Sequence, residues 1–169
     1  MKPRILTLQA FGPFAGRQDI DFTALPPDAL FLIHGPTGAG KTAILDGLCY
    51  ALYGVTSGDE RSAREMRSHH AAEGCETLVE FEFTLGRRRF RVKRAPEQER
   101  PAQRAGRDGQ RGTVTVPARA ELAEWRAAAW HPLAAKTTEV SDRIVALLGF
   151  EASQFRQVIL LPQGRFRDF

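Results

Sequence analysis

Eight consecutive residues, Gly35-Pro36-Thr37-Gly38-Ala39-Gly40-Lys41-Thr42, have the types and spacing needed to hold a polyphosphate. They match G-x-x-x-x-G-K-[ST] in full. The glycines let successive backbone N–H groups turn inward and form an anion nest. A helix starting at the end of the loop would direct roughly half a positive charge at the same point. Lys41 supplies a cation for the β- and γ-phosphates. The Thr42 hydroxyl is a hard oxygen suited to Mg²⁺. This chemistry is nucleoside triphosphate binding.

Hydrolysis in this class also needs an acid on Mg²⁺ and a group that orients water. The acid is expected at the end of four apolar residues, and no such run is present. Val79 is followed by Glu80, Ile159-Leu160-Leu161 ends in Pro162, and residues 144–150 read as a helix end. The chain therefore reads as one half of a hydrolytic site. Gln163, in the bend Leu160-Leu161-Pro162-Gln163-Gly164, is the second candidate. Its amide oxygen suits Mg²⁺ and its NH₂ suits a γ-phosphate or attacking water; a plain surface-turn glutamine is the other reading.

Positioning these groups requires a strand before the loop and a helix after it. Residues 29–34 (ALFLIH) form a short apolar run, as in a strand buried on both faces. Residues 41–53 carry Ile44, Leu45, Leu48 and Leu52 at helical spacing, with Gly54 as a C-terminal cap. Upstream, residues 4–10 and 18–22 alternate as two strands around the break Gly12-Pro13. Residues 76–85 and 88–94 read as a hairpin, and a short helix is predicted near 63–69. Residues 95–112 read as a loop, and 113–117 as a strand extending toward Trp125. A helix is predicted over 137–148, capped by Thr137 or Thr138 and stopped by Gly149. One helical turn over 153–157 and a strand over 158–161 complete the pattern.

The chain has 169 residues, of which 43% are hydrophobic and 26% charged, as expected for one ordinary globular domain. That composition excludes a disordered chain, a collagen and a disulfide scaffold. Its two cysteines, Cys49 and Cys75, form no CxxC pair, which fits a reducing compartment. No run is long enough to span a membrane, and no signal peptide is read at the start. The net charge is +4 but uneven: residues 86–111 hold nine Arg and one Lys against two Glu and one Asp, leaving +7 there and −3 elsewhere. Such a patch suits nucleic acid or is a solvated face. On the hairpin, alternation puts Arg89, Arg91 and Lys93 on one face and Phe90 and Val92 on the other. Adjacent His69 and His70 point apart on a helix and make a poor metal pair. His34 and His131 are expected to be structural, Cys49 to be a buried thiol, and Trp125 and Trp130 to pack a β-subdomain rather than stack bases.

Several stretches together resemble one family. LFLIHGPTGAGKTAILDGLCYALYG, VEFEF, RRFRVKR and FRQVILLPQGRF, with the earlier AFGPFAG, are similar to the start of SbcC-type proteins. These are ATPase subunits of a bacterial DNA double-strand-break repair nuclease, in the SMC-like branch of ABC ATPases. The resemblance implies an α/β P-loop NTPase fold, the N-terminal lobe of an ABC ATPase head over residues 1–169. It has a mixed β-sheet and an antiparallel β-subdomain, with a coiled coil and C-terminal lobe supplied elsewhere. It implies ATP held by residues 35–42, Mg²⁺ on Thr42 and Gln163, and a glutamine loop at 161–165 in which Gln163 works with Lys41. Implied partners are the C-terminal lobe, a second head in a homodimer, an SbcD-type Mn-dependent nuclease and double-stranded DNA, with no membrane. The implied location is cytoplasmic and nucleoid-associated. Arg165 stands where the family more often has Glu. The competing readings are a self-contained nucleotide kinase, and a basic nucleic-acid-binding module with a vestigial loop.

Overall fold

A computed structural model of the chain describes residues 1–26, 32–58, 62–102 and 112–158. Its main feature is a six-stranded sheet in the order β2-β1-β3-β4-β7-β8, with every pairing antiparallel. The strands are β1 (Lys2–Phe11), β2 (Phe14–Asp21), β3 (Leu78–Leu85), β4 (Arg88–Ala95), β7 (Arg119–Arg126) and β8 (Ala129–Ala134). A separate ribbon pairs β5 (Gln98–Pro101) with β6 (Thr113–Val116).

The alternation seen in sequence decides which face is buried. Leu6 pairs with Phe81, Phe81 with Val92, and Phe83 with Phe90, all fully buried. Cross-strand pairs of this kind are what stabilise a sheet face. Helix α1 (Lys41–Tyr53) lies on that face. Gly47 lets it come close: a Cβ there would sit 2.5 Å from Leu8 Cδ2. Gly54 ends α1 in the left-handed conformation at φ 76°, and its N–H donates to Tyr50 O at 2.8 Å. Helix α2 (Thr137–Leu148) adds Val140 and Ile144, and α3 (Ala152–Val158) adds Phe155, to the same core.

Several expectations change. The stretch 95–112 is not all loop, because its ends form β5 and the approach to β6; residues 103–111 lie outside the described residues. The strand expected to run from 113 toward 125 is two strands in two sheets, parted at Pro117 and Ala118. β8 has no counterpart among the expected elements, because His131, Pro132 and its alanines give no apolar alternation. It is an edge strand, where proline costs no ladder bond. The cap of α2 is Lys136, in extended conformation and with no side-chain cap bond, rather than Thr137 or Thr138.

Val158 closes α3 instead of opening a strand. The rest of that predicted strand, with Gln163 and the whole bend 161–165, lies outside the described residues. So do residues 27–31. Residues 32–34, the described end of the predicted buried strand, are not in a strand, and Leu32 is 83% exposed. His34 and His131 are exposed, whereas Cys49 is fully buried, with burial pushing its thiol up to about 12.

Candidate nucleotide-binding site

The loop 35–42 enters α1 through Gly40, which is left-handed at φ 86°. Gly38 has the same φ of 86°. No acidic residue occupies the first turn of α1, so nothing opposes an anion at its positive end. Lys41 Nζ folds back over the loop and donates to Gly35 O and Pro36 O, 2.8 Å each. The ammonium thus sits on the loop itself, in reach of whatever the loop holds. Thr42 is exposed beside it and its hydroxyl has no hydrogen bond among the described residues, so it is available as a hard ligand. Among the described residues no cluster of three His, Cys, Asp or Glu could hold a metal by itself.

A buttress stands behind the loop, at a turn whose sequence reads only as a strand break. A Cβ on Gly40 would sit 2.7 Å from Phe14 Cζ and 3.0 Å from Pro13 Cγ, and one on Gly12 would sit 3.0 Å from Ala43 Cβ. The β1–β2 turn is therefore pressed against the start of α1. The same turn is tied to the 3-10 turn Ala63–Met66: Gly12 N donates to Met66 O at 2.7 Å, and Ser68 N to Ala10 O at 2.9 Å. One turn beyond Thr42, Asp46 is buried and accepts hydrogen bonds from Ser57 N (2.9 Å) and Ser57 Oγ. That bond fastens the segment after α1 to the helix. A lone carboxylate among apolar helical positions was the available signal.

Four cations of the basic hairpin are paired with carboxylates on β3 and β7. Arg89 pairs with Glu82, Arg91 with Glu121 at 4.0 Å, Lys93 with Glu80 at 3.9 Å, and Arg88 with Glu124 at 2.6 Å. Arg88 and Arg126 hold the Glu124 carboxyl down to about 2, hydrogen bonding from Arg88 being the larger cause. The predicted split of faces holds, with Phe90 and Val92 buried opposite Arg91 and Lys93. The ion pairs favour the solvated-face reading over a phosphate-binding one. Trp125 and Trp130 pack edge-to-face, centroids 5.2 Å apart, and Arg91 lies 4.5 Å over the Trp130 ring. These aromatics pack on each other across the β7–β8 hairpin, which belongs to the main sheet and not to a separate subdomain.

A complete G-x-x-x-x-G-K-[ST] loop opening onto a helix packed on a sheet is the pattern of the P-loop class of nucleotide-binding domains. Residues 6–169 match the family described as "AAA domain", and the chain belongs to that family. It is also similar to the SbcC subunit of the nuclease SbcCD of Vibrio cholerae, with 46% identity over 168 residues covering 99% of this chain and 16% of the relative. The SbcC subunits of Staphylococcus aureus strains JH9 and Newman are 37% identical over 169 residues, again 16% of their length. The chain thus spans about a sixth of the curated relatives it matches. No helix is long and apolar enough to cross a membrane among the described residues.

Proposed function

We propose that this chain is the ATP-holding part of the ATPase subunit of a DNA-repair nuclease. Residues 35–42 cradle the triphosphate, Lys41 neutralises its outer phosphates, and Thr42 holds Mg²⁺ together with Gln163. When bound there, Mg²⁺ would supply charge neutralisation to the triphosphate. The acid and the water-orienting base come from another segment of the protein. ATP held between two such heads closes a dimer, gives a partner nuclease access to double-stranded DNA, and is hydrolysed to reset it. The observation that carries this reading is Lys41 Nζ lying across the Gly35 and Pro36 carbonyls at the acid-free positive end of α1. The name that the relatives share supports the wider assignment.

The test is MgATP titration followed by turnover. The chain binds MgATP, and Lys41→Ala weakens binding at least about tenfold, since a hydrogen bond to a charged group is worth ~1.5–3 kcal/mol. The chain alone turns ATP over negligibly, and turnover appears when the remainder of the protein is supplied. Robust turnover by the chain alone, abolished by Lys41→Ala, overturns the divided site. Absence of any MgATP binding overturns the whole reading.

A further inference from the structure

Arg94 is 3% exposed and lies on the α1-facing side of β4 with Phe90 and Val92. Its Nε donates to Ala51 O at 2.8 Å, and its Nη2 donates to Leu52 O and Ser141 Oγ, 3.1 Å each. These bonds close the carbonyl end of α1. They leave Nη1 without an acceptor and the guanidinium without a carboxylate partner among the described residues. Nη1 borders Gly54, where a Cβ would lie 3.3 Å away. Both residues line a cleft of about 470 Å³.

The first turn of α2 forms another wall of this cleft. The first intrahelical bond runs from Val140 N to Lys136 O, and no side chain caps the helix. The amides of Thr137, Thr138 and Glu139 therefore lack intrahelical acceptors. Ser141 Oγ, which accepts from Arg94, also donates to Thr137 O at 3.0 Å and so ties the buried cation to that turn. Tyr50, Tyr53, Pro96 and Ala118 supply a largely apolar wall. The remaining charges are mostly paired at the rim: Arg64 with Glu97, and Arg119 with Glu76. Glu139 lies 3.9 Å from Arg143, and Asp142 has no ion pair among the described residues.

We propose that this cleft is a second anion site, which takes the phosphate group of a small phosphate monoester of about mononucleotide size. Arg94 Nη1 and the free amides of α2 receive the phosphate. The apolar wall receives the body of the ligand, and the volume falls within the ordinary range of ligand pockets. The 13 residues of α1 separate it from the loop 35–42 by about 20 Å at ~1.5 Å per residue. It is therefore a place distinct from the loop, and the proposal does not rest on the function proposed above.

Calorimetric titration of the full chain carrying Lys41→Ala, which weakens the loop's own anion binding, tests this with inorganic phosphate and with AMP as separate probes. One saturable site is expected for both. Tighter AMP binding assigns the wall to the ligand's body, and equal binding assigns the site to phosphate alone. Thr138→Asp adds a negative charge where helices favour one, so the fold is kept, and it should weaken both probes at least tenfold. Asp142→Asn should tighten both about threefold by removing a rim charge. Failure of both probes to bind overturns the proposal, as does binding that Thr138→Asp leaves unchanged.

Discussion

Gly40 lies against the ring of Phe14 so closely that a Cβ on it would be 2.7 Å from Cζ. Two penalties therefore meet at one residue. The left-handed φ of 86° costs an L-residue ~1–2 kcal/mol, and a methyl group would have to displace the Phe14 ring. Gly40→Ala is expected to lower stability and to weaken MgATP binding at least tenfold. Phe14→Ala relieves only the second penalty. The double variant should be less impaired than the sum of the single ones, with a coupling of at least ~0.5 kcal/mol in denaturant unfolding. Strict additivity would mean that the ring does not set the shape of the loop.

Asp46 should matter for holding residues 55–58 in place. Asp46→Ala strands the buried N–H of Ser57, at a cost of ~1–3 kcal/mol. Asp46→Asn keeps an acceptor at the same place and should recover at least half of that loss. Urea unfolding of the two variants distinguishes them. Equal losses would show that charge, not acceptance, is what Ser57 requires.

These two sites show where sequence was informative and where it was not. The bounds of α1 were legible, because Gly40 and Gly54 punctuate a helical period whose buried face includes Cys49 and Leu52. The β3–β4 hairpin was legible because Phe81, Phe83, Phe90 and Val92 alternate with charges. β8 was not, since an edge strand built from Ala, His and Pro carries no apolar period. Gly12-Pro13-Phe14 reads as a break, and its pressure on the loop depends on a tertiary contact that has no local signature. The charge count of residues 86–111 misleads for a related reason. It sums one segment, while Glu80, Glu82, Glu121 and Glu124, which answer four of its ten cations, come from other strands.

That pairing has a measurable consequence. If Arg89, Arg91 and Lys93 are engaged by Glu82, Glu121 and Glu80, replacing all three by Ala should leave the salt dependence of DNA binding unchanged. Contacts to three phosphates would instead lower the log–log slope by ~2.7. Stability should fall, because Glu82, whose side chain is only 12% exposed, loses its partner. Fluorescence anisotropy over a range of salt concentrations, beside a denaturation curve, measures both.

Glu124 should set an acid limit on the sheet. It is buried on β7, and hydrogen bonds from Arg88 and then Arg126 hold its carboxyl at about 2, against an ordinary value of 4.5. A carboxyl lowered on folding stabilises the folded state at pH values above its unfolded pKa. That contribution is lost as pH falls from 4.5 toward 2, where the folded state must also take up the proton. Glu124→Gln has no carboxyl to titrate and still offers Arg88 an amide oxygen. The stability difference between wild type and Glu124→Gln should therefore be constant from pH 7 down to about 5, then shrink across the acid range. Asp19 and Asp21 are also held low, by Arg17 and Thr23 respectively, and titrate equally in both proteins, so they cancel in the difference. Urea unfolding of both proteins at half-unit pH steps is the measurement. A difference that stays constant down to pH 2 would show that Arg88 and Arg126 do not hold this carboxylate ionised.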